Sequence, residues 1–121
     1  SDDHQKSGDF YDAVFEPLKL KRVLKTEKYL GYAHSSNPDT VQFYVTHPVN
    51  GEPATFGNGT QITLLADSKE AVDKFYEVAI SKGAIDEGAP GIRSDGNYYG
   101  YVRDLDGNKI TAKCIVSKWA I

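Results

Sequence analysis

The chain has 121 residues, 40% apolar and 26% charged, with a net charge of −3, which makes one domain able to bury a core. Lys and Arg are scattered singly rather than in a stripe that tracks a phosphate backbone, which argues against nucleic acid as a partner. The apolar runs are far too short to span a bilayer, no signal-peptide pattern opens the chain, and the single Cys114 cannot form an internal disulfide; the expectation is a cytoplasmic protein with no membrane partner.

The first predicted element is a helix from Asp3 to Leu18. Phe10, Val14 and Leu18 recur four residues apart, with Tyr11 and Phe15 one position along. Asp2 or Asp3 can cap its start, and Pro17 sits near its end. Residues 21–26 and 29–34 read as strands, followed by a turn cluster at residues 35–39. Thr40 to Thr46 alternates, with Val41, Phe43 and Val45 on one face and Gln42, Tyr44 and Thr46 on the other.

Residues 47–59 form a connection rich in Gly, Pro and Asn. Thr60 to Ala66 alternates again, setting Ile62, Leu64 and Ala66 against Gln61, Thr63 and Leu65. Asp67 and Glu70 fit a capping box for a second helix carrying Val72, Phe75, Tyr76, Ala79 and Ile80, and Gly83 stops it. Residues 84–97 read as mostly irregular. Tyr98 to Arg103 is a strand, Asp106-Gly107 signals a tight turn, and Lys109 to Val116 is the return strand.

The two helices repeat one another. Phe10-Tyr11-Asp12 recurs as Phe75-Tyr76-Glu77, and at the same offset Asp3 falls on Ser68. The order of elements repeats too, which predicts a duplicated unit of one strand, one helix and three strands. A strand is therefore expected before the first helix, where the sequence offers only two residues. Either about one strand's length of 5–6 residues precedes it, or a partner chain or residues 117–121 fill its place.

The hairpin from Tyr98 to Ile110 resembles the terminal hairpin of glyoxalase/bleomycin-resistance/dioxygenase proteins of the vicinal-oxygen-chelate superfamily. Phe10-Tyr11-Asp12-Ala13-Val14 with Pro17-Leu18 resembles their first helix, and Gly57-Asn58-Gly59-Thr60 resembles the entry to their second module. The resemblance implies an α+β fold of two βαβββ modules whose curled mixed sheets surround a cavity, helices outside, with the first strand missing from the chain. Module one would span about residues 1–47, a linker 48–59, module two 60–116 and a tail 117–121. Ile62, Leu64, Ala66, Ile110, Ala112 and Cys114 would pack under the helices. Gln61, Thr63, Tyr99, Tyr101, Thr111 and Lys113 would face the cavity.

Metalloenzymes of the family place a His in the first strand of each module and a Glu in the last strand of the second. Such ligands suit a divalent ion that polarises a substrate oxygen or activates water. Here the second His position falls on Gln61 and the Glu position on Thr111. One glyoxalase branch uses Gln as a ligand, whereas Thr is a weak one, so no metal ligand is assigned and a divalent ion is not the favoured cofactor. His4 sits at a helix start, His47 lies in the inter-module connection, and Cys114 reads as a buried inert thiol. His34, at a strand end, could reach the cavity mouth.

What remains is a polar-aromatic cavity. Its candidate ligand-binding residues are Gln61, Thr63, Tyr99, Tyr101, Thr111, Tyr44, Gln42 and His34, a mix suited to a small organic molecule. The tyrosines could equally fill a barrel-like interior. Lys113 could neutralise an anionic ligand or simply reach solvent. No phosphate-cradling loop, G-x-S-x-G elbow or close Cys/His pair is present. The expected function is metal-free binding of a small molecule. The alternatives are a glyoxalase-type lyase or isomerase with an atypical site, and an assembly role, since family members often form homodimers.

Overall fold

The computed structural model describes residues 3–47, 54 and 60–116. Helix α1 spans His4–Phe15 and runs into a 3₁₀ turn at Glu16–Leu18, where Pro17 supplies a fixed φ and no amide donor. Lys19, in the left-handed region at φ 61°, then redirects the chain into β1. Strands β1 (Leu20–Lys25), β2 (Tyr29–His34) and β3 (Val41–Thr46) follow. The second half runs β4 (Gln61–Leu65), α2 (Lys69–Ser81), β5 (Ile85–Ile92), β6 (Tyr98–Arg103) and β7 (Lys109–Cys114).

Both helices begin on a side-chain cap. Asp3 accepts from the Lys6 amide at 3.0 Å, and Ser68 accepts from the Ala71 amide at 3.1 Å. The caps stand 65 positions apart, the spacing that also relates Phe10 to Phe75. The capping residue of α2 is thus Ser68, not the Asp67 that the box spacing offered. Asp67 instead forms an exposed ion pair with Lys19 at 2.7 Å.

The strands form two sheets. The first has the antiparallel order β1-β2-β3 and the second the order β4-β7-β6-β5, in which β4 runs parallel to β7. The strand expected ahead of α1 has no counterpart among the described residues. Helix α1 packs on the first sheet and α2 on the second, and the two helices touch each other. Between them lies one apolar core that includes Val14, Phe15, Leu30 and Tyr32 from the first half and Val72, Phe75, Val102 and Ile110 from the second. Fully burying one such Phe stabilises the fold by about 1.5–3 kcal/mol.

Two local departures from the sequence pattern have physical causes. Residues 85–92 form a strand where no alternation is visible, because register shifts on either side of Gly88 break the period of two. Gly88 has φ 156°, and a Cβ there would lie 3.0 Å from Tyr101 Cδ2. In the first sheet the register shifts between Tyr32 and Ala33, so Phe43 pairs with Tyr32 but Val41 pairs with Ala33. The shift resets the alternation of β3 and turns Val41 toward Gly31, away from the side that holds Phe43. No described helix is long and apolar enough to cross a membrane.

Candidate functional site

The register of the second sheet decides which side chains meet. Tyr99 pairs with Lys113, Tyr101 with Thr111, and Thr111 on its other side with Thr63, while Lys109 lies between Arg103 and Gln61. Because successive side chains alternate, all of these project from the face opposite α2. The neighbouring positions Gly100, Val102, Ile110 and Ala112 are buried on the helix side. Gly100 is needed there for close approach, since a Cβ would lie 3.3 Å from Val72 Cγ1. The division expected from alternation, Ile110, Ala112 and Cys114 inward and Tyr99, Tyr101, Thr111 and Lys113 outward, matches this register.

On that open face Tyr99 and Tyr101 stack, their ring centroids 5.6 Å apart and their planes 11° from parallel. Three cations border them. The Lys109 ammonium lies 5.2 Å and the Arg93 guanidinium 5.4 Å from the Tyr101 centroid, and Lys113 lies 5.4 Å from that of Tyr99. Arg93 is held by a 2.6 Å hydrogen bond from Nη2 to the Ala89 carbonyl. Arg103, on the same face, is committed elsewhere: it pairs with Glu87 and donates to the Gly107 carbonyl at 2.7 Å.

The polar groups complete the surface. Gln61 Nε2 donates to Thr63 Oγ1 at 3.1 Å. Thr111 is fully buried, and its Oγ1 has no hydrogen-bond partner among the described residues. Such an orphaned hydroxyl costs about 1–3 kcal/mol. The Tyr99 hydroxyl donates to Asp95, which holds that carboxylate below its usual range and raises the Tyr99 phenol. The Asn97 amide donates to Asp95 as well, at 2.9 Å.

The other expected site residues lie elsewhere. His34 and Gln42 line a cavity of about 390 Å³ with Leu20, Leu64 and Asp67, and Thr63 borders both this cavity and the open face. Ser36 donates its amide to His34 Nδ1 at 3.1 Å, so the neutral ring carries its proton on Nε2. Tyr44 lines a smaller space of about 200 Å³ with Phe43, Ile62 and Asp104. The eight residues expected around one cavity therefore occupy three neighbouring places. The bulge in β3 is one reason, since it separates Gln42 from Tyr44.

A further groove of about 560 Å³ lies beside α1 and β1, lined by Asp12, Glu16, Lys19 and Arg22 among others. Arg22 is paired with Asp12 at 2.8 Å and Lys19 with Asp67, so two of its three lining cations are already engaged. Sequence reasoning passed over Arg93 and Lys109. Lys109 shares the parity of Thr111 and Lys113 and was visible in principle. Arg93 follows the strand whose alternation is broken, so nothing placed it.

Comparison with known proteins is consistent with this architecture. Residues 1–111 match the family model described as Glyoxalase/Bleomycin resistance protein/Dioxygenase superfamily. A glyoxalase/bleomycin resistance protein from Albidiferax ferrireducens T118 is similar in structure, with TM-score 0.85 and 35% identity over 95% of this chain and 92% of that one. A family enzyme from Burkholderia phytofirmans PsJN shares the fold at TM-score 0.65 and 19% identity, over 94% and 91% of the two chains. So does lactoylglutathione lyase from Agrobacterium tumefaciens, at TM-score 0.63 and 21% identity over 94% and 86%. No curated protein matches the chain significantly.

Proposed function

The chain belongs to the Glyoxalase/Bleomycin resistance protein/Dioxygenase superfamily, and on that premise we propose that it binds a small organic molecule on the open face of its second sheet, without a conserved catalytic metal. The observation that carries the reading is the stacked Tyr99–Tyr101 pair with Lys109, Lys113 and Arg93 at its edges. Rings offer stacking area, and the cations beside them offer hydrogen bonds to a polar group of a ligand.

The donor set supports the metal-free part. The two family ligand positions in this module hold an amide, Gln61, already donating to Thr63, and a hydroxyl, Thr111. No group of three His, Cys, Asp or Glu among the described residues could hold a metal ion. Lys109, Lys113 and Arg93 around the tyrosines would repel a divalent cation. These residues do not fit a metal.

Two measurements test the reading. Metal analysis of the purified protein should find far less than stoichiometric divalent ion; about one ion per chain would defeat the metal-free part. Thermal melting against a panel of planar aromatic compounds should give upward shifts that vanish in Tyr101→Ala. Shifts that persist in that variant would move the site away from this face. The proposal includes a cytoplasmic homodimer, which light scattering on the intact protein would check for assembly.

A further inference from the structure

Resting on the reading of this face as a ligand site, we propose that its ligand is a planar aromatic anion of the aryl carboxylate class. Lys109, Lys113 and Arg93 would receive the negative charge while the ring lies against the Tyr99–Tyr101 stack. The charge distribution carries the inference. The whole chain is acidic, at −3, yet this face gathers three cations within about one ring's width of two stacked tyrosines.

Among the described residues, neither lysine is within ion-pair distance of a carboxylate; each rests its ammonium on a tyrosine ring instead. Asp95 is the acidic group beside them, and it is occupied by the Tyr99 hydroxyl and the Asn97 amide. Glu87 is taken up by Arg103. Lys109 rests on a ring face, Lys113 lies beside the ring and hydroxyl of Tyr99, and Arg93 divides itself between the Tyr101 ring and the Ala89 carbonyl. A cation on a half-exposed ring gains only about 0.5–1 kcal/mol, whereas a charge-assisted hydrogen bond gains about 1.5–3 kcal/mol.

An incoming carboxylate therefore draws the ammonium groups off the rings and frees those same rings to stack on the ligand. A neutral planar molecule gains the stacking without the charge, and a cation meets three like charges. The chemistry selects anion over neutral over cation.

Calorimetric titration of the intact protein with 2-naphthoate, 2-naphthamide and 2-naphthylmethylammonium tests the proposal. Naphthoate should bind about tenfold or more tightly than the amide, with the ammonium weakest. Raising ionic strength should weaken naphthoate and leave the amide unchanged. In the Lys109→Met/Lys113→Met variant, which keeps the apolar stems, the preference should collapse. If the amide binds as tightly as naphthoate, with Tyr101→Leu abolishing both, the ligand-site reading stands and the anion is ruled out. If naphthoate keeps its preference and its salt response in the lysine variant, the assignment of charge to these residues fails. If none of the three compounds binds, both readings fall.

Discussion

The two halves of this protein divide their aromatic residues differently between the faces of their sheets. In the first half, Tyr11, Phe15, Tyr32 and Phe43 gather between α1 and its sheet, with the Phe15 ring edge-on to both Tyr32 and Phe43 at 5.2 and 4.9 Å. In the second half the space under α2 holds one fully buried ring, Phe75, among the smaller side chains Val72, Ala79, Val102 and Ala112, with Tyr76 and Tyr98 packed at its margin. There the stacked tyrosines stand on the face away from the helix. A repeated unit can thus keep its helix caps while one copy packs most of its rings under its helix and the other sets a stacked pair on the far face of its sheet.

The largest test of that contrast is truncation in the two cores. Phe15→Ala and Phe75→Ala should each cost about 3–5 kcal/mol in urea denaturation. The loss at Phe15 should be the greater, because its ring pairs add about 0.5–1.5 kcal/mol each beyond area burial. Equal losses would erase the distinction between the two cores.

Next is the link between the halves. Tyr11, buried in the first core, donates its hydroxyl to Asp104 at the base of the β6–β7 turn. Tyr11→Phe should cost about 1–3 kcal/mol, since a buried acceptor loses a donor. Burial first, and then Asp104, hold the Tyr11 phenol well above its ordinary value of 10.0. Burial and Asp12 likewise raise Tyr32. Because the folded-state values are raised, this stability is fully present below pH 10 and is lost as pH climbs through the folded values. Melting followed into the alkaline range should decline above about pH 10, and less steeply in Tyr11→Phe.

Much of this was legible in the sequence because it depends on period and turn chemistry. Alternation alone separates Ile110, Ala112 and Cys114 from Tyr99, Tyr101 and Thr111, and the Phe10/Phe75 repeat locates both helices. What escaped depends on tertiary register. β5 carries no alternation because its pairing slips around Gly88, so Arg93 could not be assigned to a face. The bulge in β3 reverses the parity of part of a strand, which no count along the chain can reveal. For the cap of α2 the box spacing offers Asp67 and the repeat offers Ser68; the structure uses Ser68, and Asp67 pairs with Lys19.

A smaller effect of opposite sign is expected at Thr111. Thr111→Val removes a buried hydroxyl without a partner and should raise the melting temperature of the empty protein, by an amount worth about 1 kcal/mol. An unchanged or lowered melting temperature would mean that the hydroxyl is satisfied. The smallest test asks whether the repeat is energetic as well as geometric: Asp3→Ala and Ser68→Ala should each cost about 1 kcal/mol by the same denaturation measurement.

The hydrogen bond from Tyr11 to Asp104 has a wider consequence. The backbone ladders form two separate sheets, which suggests two pieces able to open independently. Yet a helix of one half is fastened to the hairpin of the other, and α1 lies directly against α2. Neither half can lose its packing without exposing the other's interior. Amides of β2 and β7, though they belong to different ladders, should exchange with solvent in a single event, so that the duplicated chain behaves as one cooperative unit.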